Sequence, residues 1–256
     1  MGSDPIFLTD PAFWAIGVFA VLLTGISKGG VGGGAGGVAT PLLSLVISPV
    51  AAAAIMLPVL CLLDIFGIRA YLWQWDAAVT RRIVAGGLVG TVCGALTIRW
   101  LDDNWIRIMI GVIALGFLAW SYLPRRSSVA KPSNRAGWLL STLSGYATFI
   151  THAGGPPVIG YMLALRMDKV AFITTSLVFF AAMNYAKILP YYWLGLLDAR
   201  TIATGVARVP VGVAGIYFGI WLQKRMSPVL FYRVVHVLLF FTGAKLLYDG
   251  ITAIYP

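Results

Sequence analysis

A glycine-rich stretch around a lysine is the strongest chemical signal in this sequence. The segment GISKGGVGGGAGGVATPLL has eight glycines within 25–37 and places Lys28 beside Ser27. Glycine costs about 1 kcal/mol relative to alanine inside a helix, so the stretch predicts an interrupted helix. Freed backbone N–H groups at such an interruption can hold an anion. We therefore expect an anion-binding surface formed by Ser27, Lys28, Gly32, Gly33, Gly34, Gly36 and Gly37, although close helix packing through small residues would also use these glycines.

A second stretch, TFITHAGGPPVIGY from Thr148 to Tyr161, has the same design. Its two prolines suit the first turn of a new half-helix, where a missing N–H is harmless. That half-helix would direct the N–H groups of the glycines toward the centre of the protein. The predicted site residues here are Thr151, His152, Gly154, Gly155 and Pro156. His152 is also compatible with a packing role, and a metal site is not indicated because the chain has two histidines and no glutamate.

Ionisable residues inside apolar segments are costly and usually functional. The sequence places Arg208 and Lys187 in such segments, with Asn184 close to Lys187. Lys187 and Arg69 could instead extend to a membrane interface. Asp64 is the one acidic residue well inside an apolar segment, and we expect it to pair with a cation. The excess of buried cations favours an anionic substrate, so Asn184, Lys187 and Arg208 join the predicted site.

The elements that position these residues follow from composition. The chain has 256 residues, of which 59% are apolar and 11% charged, and a mean hydropathy of +0.87. Soluble domains have about 45–50% apolar and about 25% charged residues, so a soluble enzyme is excluded. At about 20 residues per bilayer crossing, there is room for roughly seven to nine segments. We predict an all-α polytopic membrane protein with a single transmembrane domain over residues 1–256.

The two interrupted stretches indicate an internal repeat. Aligning Ala35-Gly36-Gly37 with Ala153-Gly154-Gly155 gives an offset of 118 that also matches Arg69 with Lys187. We place repeat 1 at about 11–123, a polar cytoplasmic connector at 124–136, and repeat 2 at about 137–254. Each repeat would have a broken or re-entrant first unit followed by three transmembrane helices. Paired interrupted segments are typical of transporters that bind substrate at the repeat interface.

Loop charges predict how the repeats are oriented. The chain has a net charge of +10, and its basic loops fall on one side if each broken unit returns to its starting face. By the positive-inside rule, this favours inverted repeats with the connector inside and both termini outside. Charge alone leaves open whether the first unit is a re-entrant hairpin or two full spans. We expect the two halves to rock about a fixed site.

Four motifs resemble those of the TauE/SafE family, which comprises bacterial cytoplasmic-membrane permeases associated with efflux of sulfite and organosulfonates. They are GISKGGVGGGAGGVATPLL, LPVLCLLDIFGIRAY, THAGGPPVIGYML and TTSLVFFAAMNYAK, and the resemblance runs from about Ala12 to Tyr248. It implies transport of small sulfur oxyanions such as sulfite, thiosulfate, sulfoacetate or sulfolactate. By motif position it also implies that the residues of the two broken units, with Asn184 and Lys187, face the translocation route.

The sequence thus predicts an inner-membrane exporter of small sulfur-containing anions that works by alternating access. It predicts no enzymatic activity, no cofactor and no nucleic-acid partner; the expected partners are the anionic substrate and the lipid bilayer. The alternatives are an anion channel, or a permease for another oxyanion. An intramembrane enzyme with a Ser27–His152 dyad would lack a third group to orient it. The preferred anion, a coupling ion and a homo-oligomeric state are left open.

Overall fold

The computed structural model of the chain describes residues 10–31, 36–70, 74–122, 132–222, 225 and 228–254. Regular secondary structure in these residues is helical, which confirms the all-α class. Two 3₁₀ turns, Gly36–Val38 and Ile98–Trp100, accompany the α-helices. These are α1 (Pro11–Val31), α2 (Ala39–Leu43), α3 (Pro49–Ala70), α4 (Ala77–Thr97), α5 (Asp103–Tyr122), α6 (Asn134–Thr151), α7 (Gly155–Ala164), α8 (Lys169–Trp193), α9 (Ala199–Val206), α10 (Val209–Leu222) and α11 (Pro228–Ile254).

Several of these helices are long and apolar enough to cross a bilayer. Within the described residues, five segments meet that criterion by length and composition. At about 1.5 Å of rise per residue, each is about 30 Å or longer, which matches the hydrocarbon core. They are Pro11–Gly30, Pro49–Ala70, Ala77–Trp100, Val170–Trp193 and Ala199–Leu222. The polytopic prediction is confirmed.

The three interruptions of the helices differ in how well the sequence predicted them. Helix α6 ends at Thr151 and α7 begins at Gly155, as the prolines predicted. Helix α1, in contrast, runs through the first glycines to Val31, and the predicted site residues Gly32, Gly33 and Gly34 lie outside the described residues. A third interruption, between α9 and α10 at Ala207–Arg208, was not predicted. Pro210 explains it, because proline has no N–H for the preceding helical turn.

Two helix pairs join the sequence halves through very close backbone contact. Helices α1 and α10 run parallel: Gly25 lies against Gly212 and, further along both helices, Gly30 lies against Gly219. Helices α4 and α6 pack in the same parallel manner through glycines of their own. This contact explains why α1 tolerates its glycines, since the backbone approach that they permit offsets their low helix propensity.

Two further pairs run antiparallel. In the contact of α3 with α8, Asp64 meets Asn184, whereas the later residue Gly67 meets the earlier residue Leu177. Helices α5 and α11 also pack in opposite directions. The repeat alignment matches α1 with α6 and α4 with α10, so the α1–α10 and α4–α6 pairs are equivalent to each other. It also matches α3 with α8 and α5 with α11, so each of these two pairs is equivalent to itself with its helices exchanged. The halves are therefore packed in equivalent ways, and each contributes a helix to the other.

This pairing divides most of the bundle into two mixed groups. The α3 group contains α1, α2, α3, α9 and α10, and the α8 group contains α4, α6, α7 and α8. Their main contact is that of α3 with α8, while α5 and α11 form a separate pair. The rocking of the two sequence halves stays a prediction; in this packing it would have to separate α1 from α10 and α4 from α6.

Most of the aspartates serve the helix ends. Asp76, Asp168 and Asp198 accept backbone N–H groups at the first turns of α4, α8 and α9. Such caps satisfy N–H groups that have no partner within the helix. The backbone N–H of Thr201 holds the pKa of the Asp198 carboxyl below its ordinary value. Asp64 is different, because it lies fully buried in the middle of the bundle.

The close α4–α6 contact gives a first testable prediction. A Cβ at Gly90 would collide with the carbonyl oxygen of Thr142, whereas a Cβ at Gly116 would have no neighbour within 4 Å. We expect Gly90→Ala to lower the free energy of unfolding by roughly 1–3 kcal/mol, since overpacking forces the backbones apart. Gly116→Ala should be neutral or slightly stabilising. Thermal unfolding of the purified proteins in detergent checks this, and equal melting temperatures for the two variants would contradict it.

Candidate functional site

A line of buried polar side chains connects four helices near the centre of the bundle. Lys28 of α1 forms an ion pair with Asp64 of α3. The other oxygen of Asp64 accepts a hydrogen bond from Asn184 Nδ2 at 2.8 Å, and Asn184 Oδ1 accepts one from Lys187 Nζ at 3.1 Å. Lys187 Nζ lies 2.8 Å from Nδ1 of His152. All five side chains are buried, and we call them the central polar network.

Lys187 is held by three good acceptors. They are the backbone oxygen of Thr148 at 2.9 Å, Asn184 Oδ1 at 3.1 Å and His152 Nδ1 at 2.8 Å. An ammonium group has three N–H bonds, so each N–H of Lys187 has one acceptor. None of the three acceptors carries a negative charge. The Lys187 ammonium is therefore well solvated by the protein but has no counter-ion of its own among the described residues.

His152 connects the α8 group to the α3 group. It follows the last residue of α6 with a left-handed backbone (φ 54°), which ends that helix. Its Nδ1 faces the Lys187 ammonium and can only accept, so the proton resides on Nε2. Nε2 then donates to the backbone oxygen of Ala53 in α3, 2.9 Å away. The geometry assigns a neutral imidazole that bridges Lys187 and α3.

The charges of the central polar network do not cancel. Lys28 and Lys187 contribute two positive charges, and Asp64 contributes one negative charge. Asp64 thus pairs with a cation, as predicted. With His152 neutral and both lysines protonated, one net positive charge remains within the central polar network. A buried charge without a partner is costly, and an anion placed beside it would lower that cost.

The two interrupted units meet beside this network. A Cβ at Gly37, in the 3₁₀ turn Gly36–Val38, would lie 2.9 Å from Cα of Ala153. Within the second unit, the Ser144 hydroxyl of α6 donates to the backbone oxygen of Gly154. Gly155 and Pro156 form the first turn of α7. The structure therefore brings Gly37 next to His152 and Ala153, at the start of the turn between α6 and α7.

Ser27 and Thr151 differ in whether their hydroxyl groups have partners. Ser27 is fully buried next to Lys28, and its Oγ has no hydrogen-bond partner among the described residues. The Thr151 hydroxyl donates to the Ala147 oxygen at 2.9 Å and accepts from the N–H of Ala153 at 3.1 Å. A hydroxyl has one proton. In this arrangement, the Thr151 hydroxyl stabilises the turn, and its single proton is already donated and so not available to an oxyanion.

Arg208 lies away from the central polar network. We expected it to surround one anion together with Lys28 and Lys187, but its guanidinium packs over the rings of Phe13 and Trp14 at the start of α1. It also lies beside Gly17, eleven residues before Lys28, or about 16 Å along a helix at 1.5 Å per residue. The cause is the parallel packing of α10 against α1, which places Arg208, just before α10, beside the first turns of α1.

The sequence did not identify the acceptors that hold Lys187 and His152. Thr148 lies four residues before His152, on the same helix face, and that spacing was a usable signal. The Ala53 carbonyl has no side-chain signature. The repeat alignment also matched Lys187 with Arg69, but Arg69 is exposed in the last turn of α3, so the two positions have different environments.

Comparison with known proteins identifies a family. The family model described as sulfite exporter TauE/SafE matches residues 17–246. No curated protein and no solved structure matched the chain. The family match covers both interrupted units, the central polar network and Arg208. The chain therefore belongs to the TauE/SafE sulfite exporter family, whose members are membrane transporters of anions, and it is a multi-pass membrane protein.

Proposed function

We propose that this protein exports a small sulfur-containing anion, sulfite or an organosulfonate such as sulfoacetate, across the bacterial cytoplasmic membrane. One observation carries the proposal: the central polar network places two lysine side chains and one carboxylate among buried groups, so its formal charge is positive. Such a site attracts anions and repels cations. With the cell interior negative, outward movement of one negative charge releases about 2.3 kcal/mol per 100 mV. Export therefore needs no coupling ion.

Within the site, Lys28 and Ser27 are the groups that we assign to the anion oxygens. Among the described residues, Asp64 is the hydrogen-bond partner of Lys28, so two N–H bonds of the ammonium are available. The adjacent Ser27 hydroxyl is buried and has no hydrogen-bond partner among the described residues. Lys187 contributes charge, and Asn184 and His152 hold it in place. We expect backbone N–H groups of the glycine turns to complete the site. The participation of Gly32, Gly33 and Gly34 stays a prediction from the sequence.

We further propose that the repeats are inverted. A two-fold axis in the membrane plane reverses the direction of a helix relative to its equivalent, whereas an axis along the membrane normal preserves it. The equivalent helices α3 and α8 run antiparallel, and so do α5 and α11. These directions support the in-plane axis, and the basic loops support a cytoplasmic connector.

The same packing suggests how access alternates. The central polar network crosses the boundary between the two mixed groups, with Lys28 and Asp64 on the α3 group and Asn184, Lys187 and His152 on the α8 group. We propose that these groups, rather than the sequence halves, rock against each other. A bound anion would compete with Asp64 for Lys28 inside the α3 group, and so act on the same carboxylate that accepts the Asn184 hydrogen bond across this boundary.

Efflux from vesicles tests the proposed function. Purified protein is reconstituted into liposomes loaded with ³⁵S-sulfite, and a negative interior potential is imposed with potassium and valinomycin. We expect efflux that saturates, that increases with the potential, and that unlabelled external sulfite or sulfoacetate accelerates by exchange. Phosphate-loaded liposomes are the matched control. Efflux no faster than from protein-free liposomes, or single-channel currents without exchange, would contradict a sulfite carrier.

A further inference from the structure

Arg208 is a buried cation with unused hydrogen-bonding capacity. It is 1% exposed, and its Nη1 donates to the Thr204 oxygen at 2.7 Å. Its Nε and Nη2 have no hydrogen-bond partner among the described residues. Neither of the two ion pairs found among the described residues involves Arg208. Capping the end of α9 thus uses one nitrogen and leaves two buried donors unsatisfied.

The two free nitrogens lie on one edge of the guanidinium. Nε–H and Nη2–H point in parallel, and this is the arrangement that binds two oxygens of an oxyanion at once. The edge faces the backbone of α1 at Gly17. A Cβ at Gly17 would lie 2.7 Å from Nε and 3.1 Å from Nη2. A side chain of any kind at residue 17 would therefore crowd this edge of the guanidinium.

Two aromatic rings hold the guanidinium in position, and neither of them neutralises it. Its Cζ lies 4.5 Å from the ring centre of Phe13 and 4.2 Å from that of Trp14. Such cation–π contacts stabilise a buried cation, but rings supply no acceptor in the plane of the guanidinium. Unsatisfied buried donors are costly, and an oxyanion would satisfy both of them while bringing a negative charge to the guanidinium.

We infer that the free edge of Arg208 is a second binding site for a small oxyanion, distinct from the central polar network. It lies about 16 Å from Lys28 along α1, from the rise per residue, toward the end at which α1 begins. If the protein is an exporter as proposed, that end is external, and the site receives the anion after it leaves the central network. The binding itself does not depend on that role.

Trp14 gives this site a local reporter. Sodium sulfite is titrated into the purified full-length protein while tryptophan emission is recorded. The signal of interest is the part of the emission change that is absent in Trp14→Phe. We expect this component in the native protein and also in Lys187→Met, whose central network is altered. Arg208→Lys keeps the charge but loses the paired donors, and Gly17→Ala covers the edge; each should weaken the apparent affinity at least tenfold. Gly116→Ala is the matched glycine control and should leave it unchanged.

The outcomes separate this inference from the proposed function. A Trp14 component that survives in Lys187→Met and weakens in both Arg208→Lys and Gly17→Ala supports the second site, even if vesicle efflux fails. A titration without any Trp14-dependent component overturns it. So does a component that Lys187→Met abolishes, or one whose affinity Gly17→Ala leaves unchanged.

Discussion

Replacing Asp64 by leucine is expected to lower the free energy of unfolding by about 3–5 kcal/mol, the usual cost of removing one partner of a buried ion pair. Asp64 is fully buried and accepts hydrogen bonds from both Lys28 and Asn184. Without it, two buried ammonium groups would remain with no negative charge between them. Denaturant or thermal unfolding of the purified protein in detergent measures the loss.

Two controls isolate the buried pair. The double variant Lys28→Met/Asp64→Leu removes both charges, and we expect it to recover most of the lost stability, since apolar replacement of a whole buried pair is often tolerated. Asp249→Leu breaks the surface pair with Lys245, whose side chains are 28% and 61% exposed, and should cost no more than about 1 kcal/mol. Equal stability losses for Asp64→Leu and Asp249→Leu would contradict a central role for Asp64.

Lys187→Met is expected to reduce sulfite efflux by on the order of a hundredfold or more. The substitution removes the one charge that the Lys28–Asp64 pair leaves uncompensated, so the network becomes neutral. Two unit charges 4 Å apart interact by about 4 kcal/mol at an effective dielectric constant of 20, which is ample for such a loss. Efflux is measured at equal amounts of reconstituted protein, with melting temperature recorded separately.

Arg69 provides the matched control for this experiment. The repeat alignment equates it with Lys187, but it is exposed at the end of α3. Arg69→Met removes the same formal charge from the chain and should leave efflux within about twofold, as is usual for surface substitutions away from a site. If Lys187→Met retained more than half of the native rate, or if Arg69→Met lost as much as Lys187→Met, the net charge of the central network would not drive anion export.

Much of the fold was predictable because its determinants are local. Apolar composition established the membrane class, and helix α11 has the predicted bounds, Pro228–Ile254. The α6–α7 interruption was predictable from consecutive prolines after two glycines. Apolar content and proline act on the residues that carry them, so a single sequence is enough to identify their effects.

The features that sequence reasoning missed depend on distant partners. Helix α1 continues through Gly25 because that glycine lies against Gly212 of α10, a contact that local propensity does not contain. The separation of Arg208 from Lys28 follows from the direction of α10 beside α1. The ammonium of Lys187 is held in part by a backbone carbonyl of Thr148, and a carbonyl is common to every residue type.

The exchange of helices between the halves also constrains how the chain matures in the membrane. While the ribosome has made only the first 122 residues, the glycine faces of α1 and α4 still lack the α10 and α6 partners against which they pack. Lipid or a chaperone must cover them until the second half is inserted. We expect a nascent chain arrested before α10 to leave this face of α1 unpacked and therefore to be degraded faster than the complete chain.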